Sequence, residues 1–214
     1  MPTIDELFSA ISAGDAAAID AILDAEPELV ASSRAGVSVL RAAAYVGRGD
    51  LATELTARGA VADPFDAAAL GDVDALRAAL DEDPDLVRAL AGDGFSLLHL
   101  AAWFGHAKVA ELLLGRGADP ELVATNGTDL QPLHSAAAGG HEVIVHLVLD
   151  RGADIEAVQS GGIRAIHSAA HRGDASMVRT LLGRGADPSA ATDDGRTARD
   201  LSDDPAVLAL LPDA

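Results

Sequence analysis

The sequence predicts an all-α solenoid of stacked helix pairs, and three observations carry that prediction. A unit recurs at roughly 33 residues, its apolar residues fall in short runs with helical spacing, and its apolar share is mostly alanine and leucine. The clearest copies read GFSLLHLAAWFGHAKVAELLLGRGADP from Gly94, QPLHSAAAGGHEVIVHLVLDRGADI from Gln131 and GIRAIHSAAHRGDASMVRTLLGRGADP from Gly162. The equivalent histidines His99, His134 and His167 lie 35 and 33 residues apart, and the turn glycines Gly117, Gly152 and Gly185 keep the same intervals. Apolar residues make up 49% of the chain and aromatics only 3%, which suits close helix-on-helix packing and not a β-sandwich.

Within a unit, a glycine-bearing turn leads into one apolar run, such as Leu97 to Phe104, and a Gly-His or Gly-Asp turn leads into a second, such as Val109 to Leu114. Leu98, Ala101 and Ala102 are expected to face neighbouring helices, with Ala110, Leu113 and Leu114 closing the back of the layer. Helices of about two turns do not persist alone, so stacking must supply the burial. The first half is irregular until compared with itself at an offset of 57 residues, where Ala10 to Val30 matches Ala67 to Val87. Arg34 to Asp50 then aligns with the segment near Gly92. The unit from about Asp63 to Gly92 is short, because Gly59 to Phe65 passes almost directly from one helix pair to the next; Pro64 suits the start of a helix. Six helix pairs are expected, starting near Thr3, Arg34, Asp63, Asp93, Asn126 and Gly161, with a partial closing unit from Asp194. No linker divides them, so residues 1–214 read as one domain.

From Gly94 to Asp119 the chain follows the pattern G-x-T-P-L-H-x-A-A-x-x-G-H-x-x-x-x-x-x-L-L-x-x-G-A-D, with Ser96 for the threonine and Leu97 for the proline. The unit at Gln131 keeps Pro132, Leu133, His134, Ala136, Ala137, Gly140 and His141; the unit at Gly162 keeps His167, Ala169, Ala170, Gly173, Leu181 and Leu182. This pattern resembles the ankyrin repeat family over nearly the whole chain. The resemblance implies that the histidine before the paired alanines braces loop backbone, and that hairpins and inner helices form a concave binding surface. Two departures stand out: Arg41 replaces that histidine in the second unit, whose inter-helix turn reads as enlarged by two residues over Val46 to Arg48. The short third unit is expected to interrupt the concave face near Asp63.

The formal charge of −19, from 34 acidic against 15 basic residues, disfavours nucleic acid and anionic membranes; it either favours a partner with a basic surface or simply keeps the chain soluble through acid-rich helix starts and loops. The chain has no cysteine, no stretch of 18 uncharged apolar residues, and no basic segment leading into an apolar one at MPTIDELFSAI, so a soluble acidic protein in the cytoplasm is the expectation. No metal, cofactor or catalytic residue is expected. His99, His134 and His167 occupy one structural position and should lie about 10 Å apart, too far to share an ion. His106 and His141 sit at inter-helix turns, and His167 with His171 makes only two ligands. Gly92-Asp93-Gly94 opens a repeat and has no accompanying lysine to hold phosphate.

The position after the paired alanines holds Tyr45, Trp103, Ala138 and His171 in the four full-length units, and the resemblance places it on the concave side. Trp103 is the only tryptophan and Tyr45 the only tyrosine. Large amphipathic rings there are typical interface anchors. Adding the neighbouring rings Phe95 and Phe104 gives an expected centre for a protein-binding site, which Ser135, Ala138, Ser168, His171 and Arg172 would extend. Three other readings compete. Trp103 and Phe104 fill space beside the short third unit; the notch there holds a small molecule or an enzymatic site; or the array has a purely structural role.

Overall fold

Hydroxyl and carboxylate caps at helix starts and glycines at helix ends cut the chain into short helices. The computed structural model describes residues 1–212, and among them are thirteen α-helices. Six pairs follow in order: α1 (Ile4–Ala13) with α2 (Ala16–Ala25), α3 (Val39–Tyr45) with α4 (Gly49–Ala57), α5 (Pro64–Leu70) with α6 (Val73–Glu82), α7 (Leu97–Phe104) with α8 (Ala107–Gly115), α9 (Pro132–Gly139) with α10 (Glu142–Asp150), and α11 (Ala165–His171) with α12 (Ala175–Gly183). A 3₁₀ turn at Arg199–Leu201 and α13 (Pro205–Leu208) close the array. The six expected pairs and the partial cap are therefore present. The side chains of Thr3, Ser38, Asp63 and Ser96 each accept the N–H three residues on, and Asp15, Asp72 and Asp174 do the same for the outer helices. Each such cap satisfies an amide that the helix itself leaves open.

The inner helices α1, α3, α5, α7, α9 and α11 touch one another in chain order, and the outer helices lie behind them. Alanines at the inner contacts, such as Ala43, Ala68, Ala101, Ala136 and Ala169, are fully buried and let these helices approach closely. The apolar interior divides into two clusters. One runs from Leu7 to Ala60, the other from Ala44 and Ala67 to Leu211, with Leu70 touching both. Repeats 1 and 3, which match at the 57-residue offset, share an additional feature: each outer helix runs into a proline-started 3₁₀ turn, Pro27–Ala31 or Pro84–Arg88.

A two-stranded hairpin, β1 (Ser33–Arg34) with β2 (Val37–Ser38), precedes α3, and isolated bridges Leu90↔Ser96, Gln159↔Ile163 and Ala191↔Thr197 mark later ones. The third unit has none, and the hairpins on either side of it meet across the gap. Gly36 of the second unit and Gly92 of the fourth are in backbone contact across the skipped position; a Cβ on Gly36, where φ is 77°, would lie 2.3 Å from the Gly92 Cα. Only a residue without a Cβ allows that approach. The enlarged turn expected at Val46 to Arg48 is also absent. Gly47 (φ 72°) and Arg48 stand where Gly105 (φ 81°) and His106 stand between α7 and α8, and the turn has the same length.

Candidate functional site

The third residue of each inner helix sets how a repeat meets the hairpin that follows. In repeats 4 to 6 it is histidine, fully buried. His99 Nδ1 accepts the Ser96 hydroxyl at 2.7 Å, and Nδ1 of His134 and of His167 accepts the N–H of Gln131 and of Arg164 at 3.1 and 3.0 Å. With Nδ1 an acceptor, the proton sits on Nε2, which donates to the carbonyls of Leu130, Ala157 and Ala190, each at 2.9 Å. Burial holds all three rings neutral: it pushes His99 down to about 4 and also lowers His134 and His167. Both nitrogens of His167 are thus committed, so it cannot join His171 on an ion. His106 and His141, at the starts of outer helices, likewise point Nε2 at carbonyls of the inner helix one repeat earlier, Ala69 and Trp103. The bracing of loop backbone that the resemblance implied is what His99, His134 and His167 perform.

In repeats 2 and 3 the same position is filled by charge. Arg41 and Asp66 are both fully buried, with Arg41 Nε 3.8 Å from the Asp66 carboxylate and 3.9 Å from that of Asp93. Arg41 Nη2 donates to the Gly36 carbonyl of its own hairpin, while Nε and Nη1 have no hydrogen-bond partner. Asp66 accepts the Ser38 hydroxyl at 2.7 Å and the N–H of Asp63 at 3.1 Å, and burial raises its carboxyl above the usual range. The Arg41 guanidinium also lies 5.7 Å from the centre of the Phe65 ring. Without a hairpin of its own in repeat 3, Asp93 from repeat 4 completes this cluster.

Asp93 links the buried charges to the surface. Its Oδ2 accepts the Tyr45 hydroxyl at 3.0 Å, across 48 residues of chain, and this bond fixes the ring at the edge of α3. Burial and the Asp93 charge push the Tyr45 phenol up, so it remains a donor. Beneath it lies Phe104, with ring centres 5.4 Å apart. Tyr45, Phe95, His99, Leu100, Trp103, Leu130 and Ser135 enclose an apolar pocket of about 230 Å³. Trp103 is 43% and Tyr45 38% exposed, so both rings stand in the wall and face solvent.

Of the nine expected site residues, Tyr45, Phe95, Trp103 and Ser135 meet in this pocket, Ser135 as a buried residue of its wall. Phe104 supports Tyr45 from behind and does not line the opening. Ser168 and His171 line a second, more polar depression of about 490 Å³ near the last hairpin, together with Thr192, Asp193, Asp194 and Arg196. Ala138 lies outside both; its carbonyl accepts Arg172 Nη1 at 2.9 Å. The expected surface is therefore two separate depressions. Leu100 and Leu130 were missed as pocket residues, Leu100 because its place in the helical run marks it as core and Leu130 because it lies in the loop before α9. Among the described residues no group of three or more His, Cys, Asp or Glu gathers around a point, and no helix is long and apolar enough to cross a membrane.

Two ankyrin repeat family models match the chain, a three-copy model over residues 98–192 and a many-copy model over 65–114. Together they span more than half of it. The chain belongs to the ankyrin repeat family. Arrays of this family are generally protein–protein interaction modules. The chain is similar to E3 ubiquitin-protein ligase XB3 of Oryza sativa subsp. japonica, with 50% identity over 62 residues, which is 28% of this chain and 14% of that protein. It is also similar to the probable E3 ubiquitin-protein ligase XBOS31 of the same organism, with 44% identity over 63 residues, 29% of this chain and 14% of the relative. The match thus covers about a seventh of each of these relatives.

Proposed function

We propose that this chain is a protein-recognition module that takes a partner's apolar side chain into the pocket between Tyr45, Phe95 and Trp103. The observation that carries the reading is convergence: the only tryptophan and the only tyrosine come from different repeats to the walls of one apolar opening and stay partly exposed. Such rings are typical centres of binding energy in interfaces. At about 230 Å³ the pocket is smaller than most small-molecule sites, which run from about 300 to 1,000 Å³. The His99 nitrogens are committed to Ser96 and Leu130 and the Tyr45 hydroxyl to Asp93. One side chain suits it better than a free ligand. The charge of −19 favours a basic partner.

The two similar proteins are named as ubiquitin ligases, and a repeat stretch within such a protein suits recognition. This chain has no cysteine, so neither a thioester nor a thiolate zinc site can form on it. Its contribution is binding and not transfer chemistry. Affinity capture with the full chain and with Trp103→Ala tests the reading. The variant is expected to melt at an unchanged temperature, since it removes a half-exposed ring, and to lose the proteins that wild type retains. Recovery of the same proteins by both would overturn it.

A further inference from the structure

Resting on that reading, we infer that the pocket takes an extended segment in which one aliphatic or aromatic side chain is flanked by lysine or arginine. The two hairpin segments framing the opening, residues 89–96 and 124–131, carry Asp93 and Asp129 and no basic residue. Arg41, the cation on α3, is buried against Asp66 and Asp93 and presents no charge outward. On α7 and α9, the histidines His99 and His134 are neutral and hydrogen-bonded to carbonyls. An apolar opening therefore sits between two hairpin segments whose only charged side chains are acidic.

Asp129 is placed for contact. It is exposed, its backbone is held in the left-handed region at φ 56°, and its Oδ2 accepts the Ser160 hydroxyl at 2.8 Å, which leaves Oδ1 open to a donor from outside. A cation beside the anchoring side chain meets this carboxylate while the anchor enters between Tyr45 and Trp103. Like-charge repulsion disfavours a second copy of this chain, which itself carries −19. An acidic or neutral segment would gain the apolar term alone.

The single tryptophan reports on its own pocket. Short synthetic peptides of sequence acetyl-Gly-Lys-X-Lys-Gly-amide, with X as leucine, phenylalanine or alanine, and a matched leucine peptide with glutamate in place of lysine, are titrated onto the full chain and followed by Trp103 emission. Saturable binding of the leucine and phenylalanine peptides is expected, at least about tenfold tighter than the alanine peptide, as burial of one such side chain allows. It should also be at least about tenfold tighter than the glutamate peptide, and should weaken from about 20 to about 300 mM salt as screening shortens the reach of Asp129 and of the chain's net charge. Asp129→Asn should weaken the lysine peptides severalfold and leave the leucine-to-alanine ratio unchanged. Equal binding of the lysine and glutamate peptides, equal binding of leucine and alanine, or no saturation by any peptide overturns the inference. Any of these alongside partner loss in Trp103→Ala leaves the recognition reading standing and removes only the basic, apolar character of the segment.

Discussion

In the block from Asp93 onward, each inner helix sets a neutral histidine against a carbonyl of the next hairpin; in the first two repeats the same position holds Glu6 and Arg41. Glu6 reaches only Thr3, at its own helix start, and Arg41 reaches Gly36 of its own hairpin and the carboxylates of Asp66 and Asp93. The hairpin tips differ in the same direction. Thr125 donates its N–H to the Gly94 carbonyl, Ser160 to Thr128 and Asp193 to Gly161, so consecutive tips in the later block are joined by backbone bonds. Among the described residues no such bond joins the hairpin of the second unit to that of the fourth, where two glycines only touch. Neighbour coupling in a solenoid is the sum of such contacts. The division of the apolar interior between Ala60 and Ala67 falls where that coupling rests on a buried ion pair.

The comparison breaks most sharply at Asp66. Asp66→Ala leaves the Arg41 guanidinium buried beside Asp93 alone, and breaking a buried pair in this way costs about 3–5 kcal/mol. Arg41→Met should cost less, because Asp66, already raised by burial, can take up a proton, whereas an arginine cannot shed one. Urea unfolding of the two variants measures this. Equal losses, or a smaller loss for Asp66→Ala, would show that the pair does not hold the junction.

Acid should act on the opposite end. The histidines of the later block have folded values below the unfolded 6.5, so the unfolded chain binds more protons and stability falls as pH drops from 6.5 toward 4. His99 alone, at about 4, accounts for about 2 kcal/mol lost at pH 5. Residues 1–62 contain no histidine and escape this loss. Asp66 has the reverse sign: its folded value is raised, so its contribution is fully present below the unfolded carboxylate value and declines as pH rises through the folded one. His99→Gln should flatten the fall between pH 7 and pH 5, measured by urea midpoints at both. A slope unchanged by the substitution would mean that other groups set the acid response.

The smallest effect is local opening at neutral pH. Amides from Ala10 to Leu23 are expected to exchange at least about tenfold faster than those from Ala136 to Leu149, a difference of about 1.4 kcal/mol in opening free energy. Slower exchange in the first segment would contradict weaker coupling at the N-terminal end. Equal rates throughout would mean that the six repeats open as one unit.

The period, the six helix pairs and the turn glycines were legible because each is local. Apolar spacing, caps and left-handed glycines act within a few residues, and the repeat makes them visible several times over. The Asp119, Asp154 and Asp187 carboxylates, for example, accept the amide two residues on in every copy. Trp103 and Tyr45 were singled out by their rarity and by one shared position in the repeat. Their convergence was decided by tertiary structure. Loss of the hairpin in the third unit lets repeats 2 and 4 close over it, and only that closure brings Asp93 to Tyr45 and Arg41 across 48 and 52 residues. It also turned Arg41, in sequence a simple departure from histidine, into half of a buried pair with Asp66, because a partner 25 residues away is chosen by how the layers stack and not by the pattern along either helix.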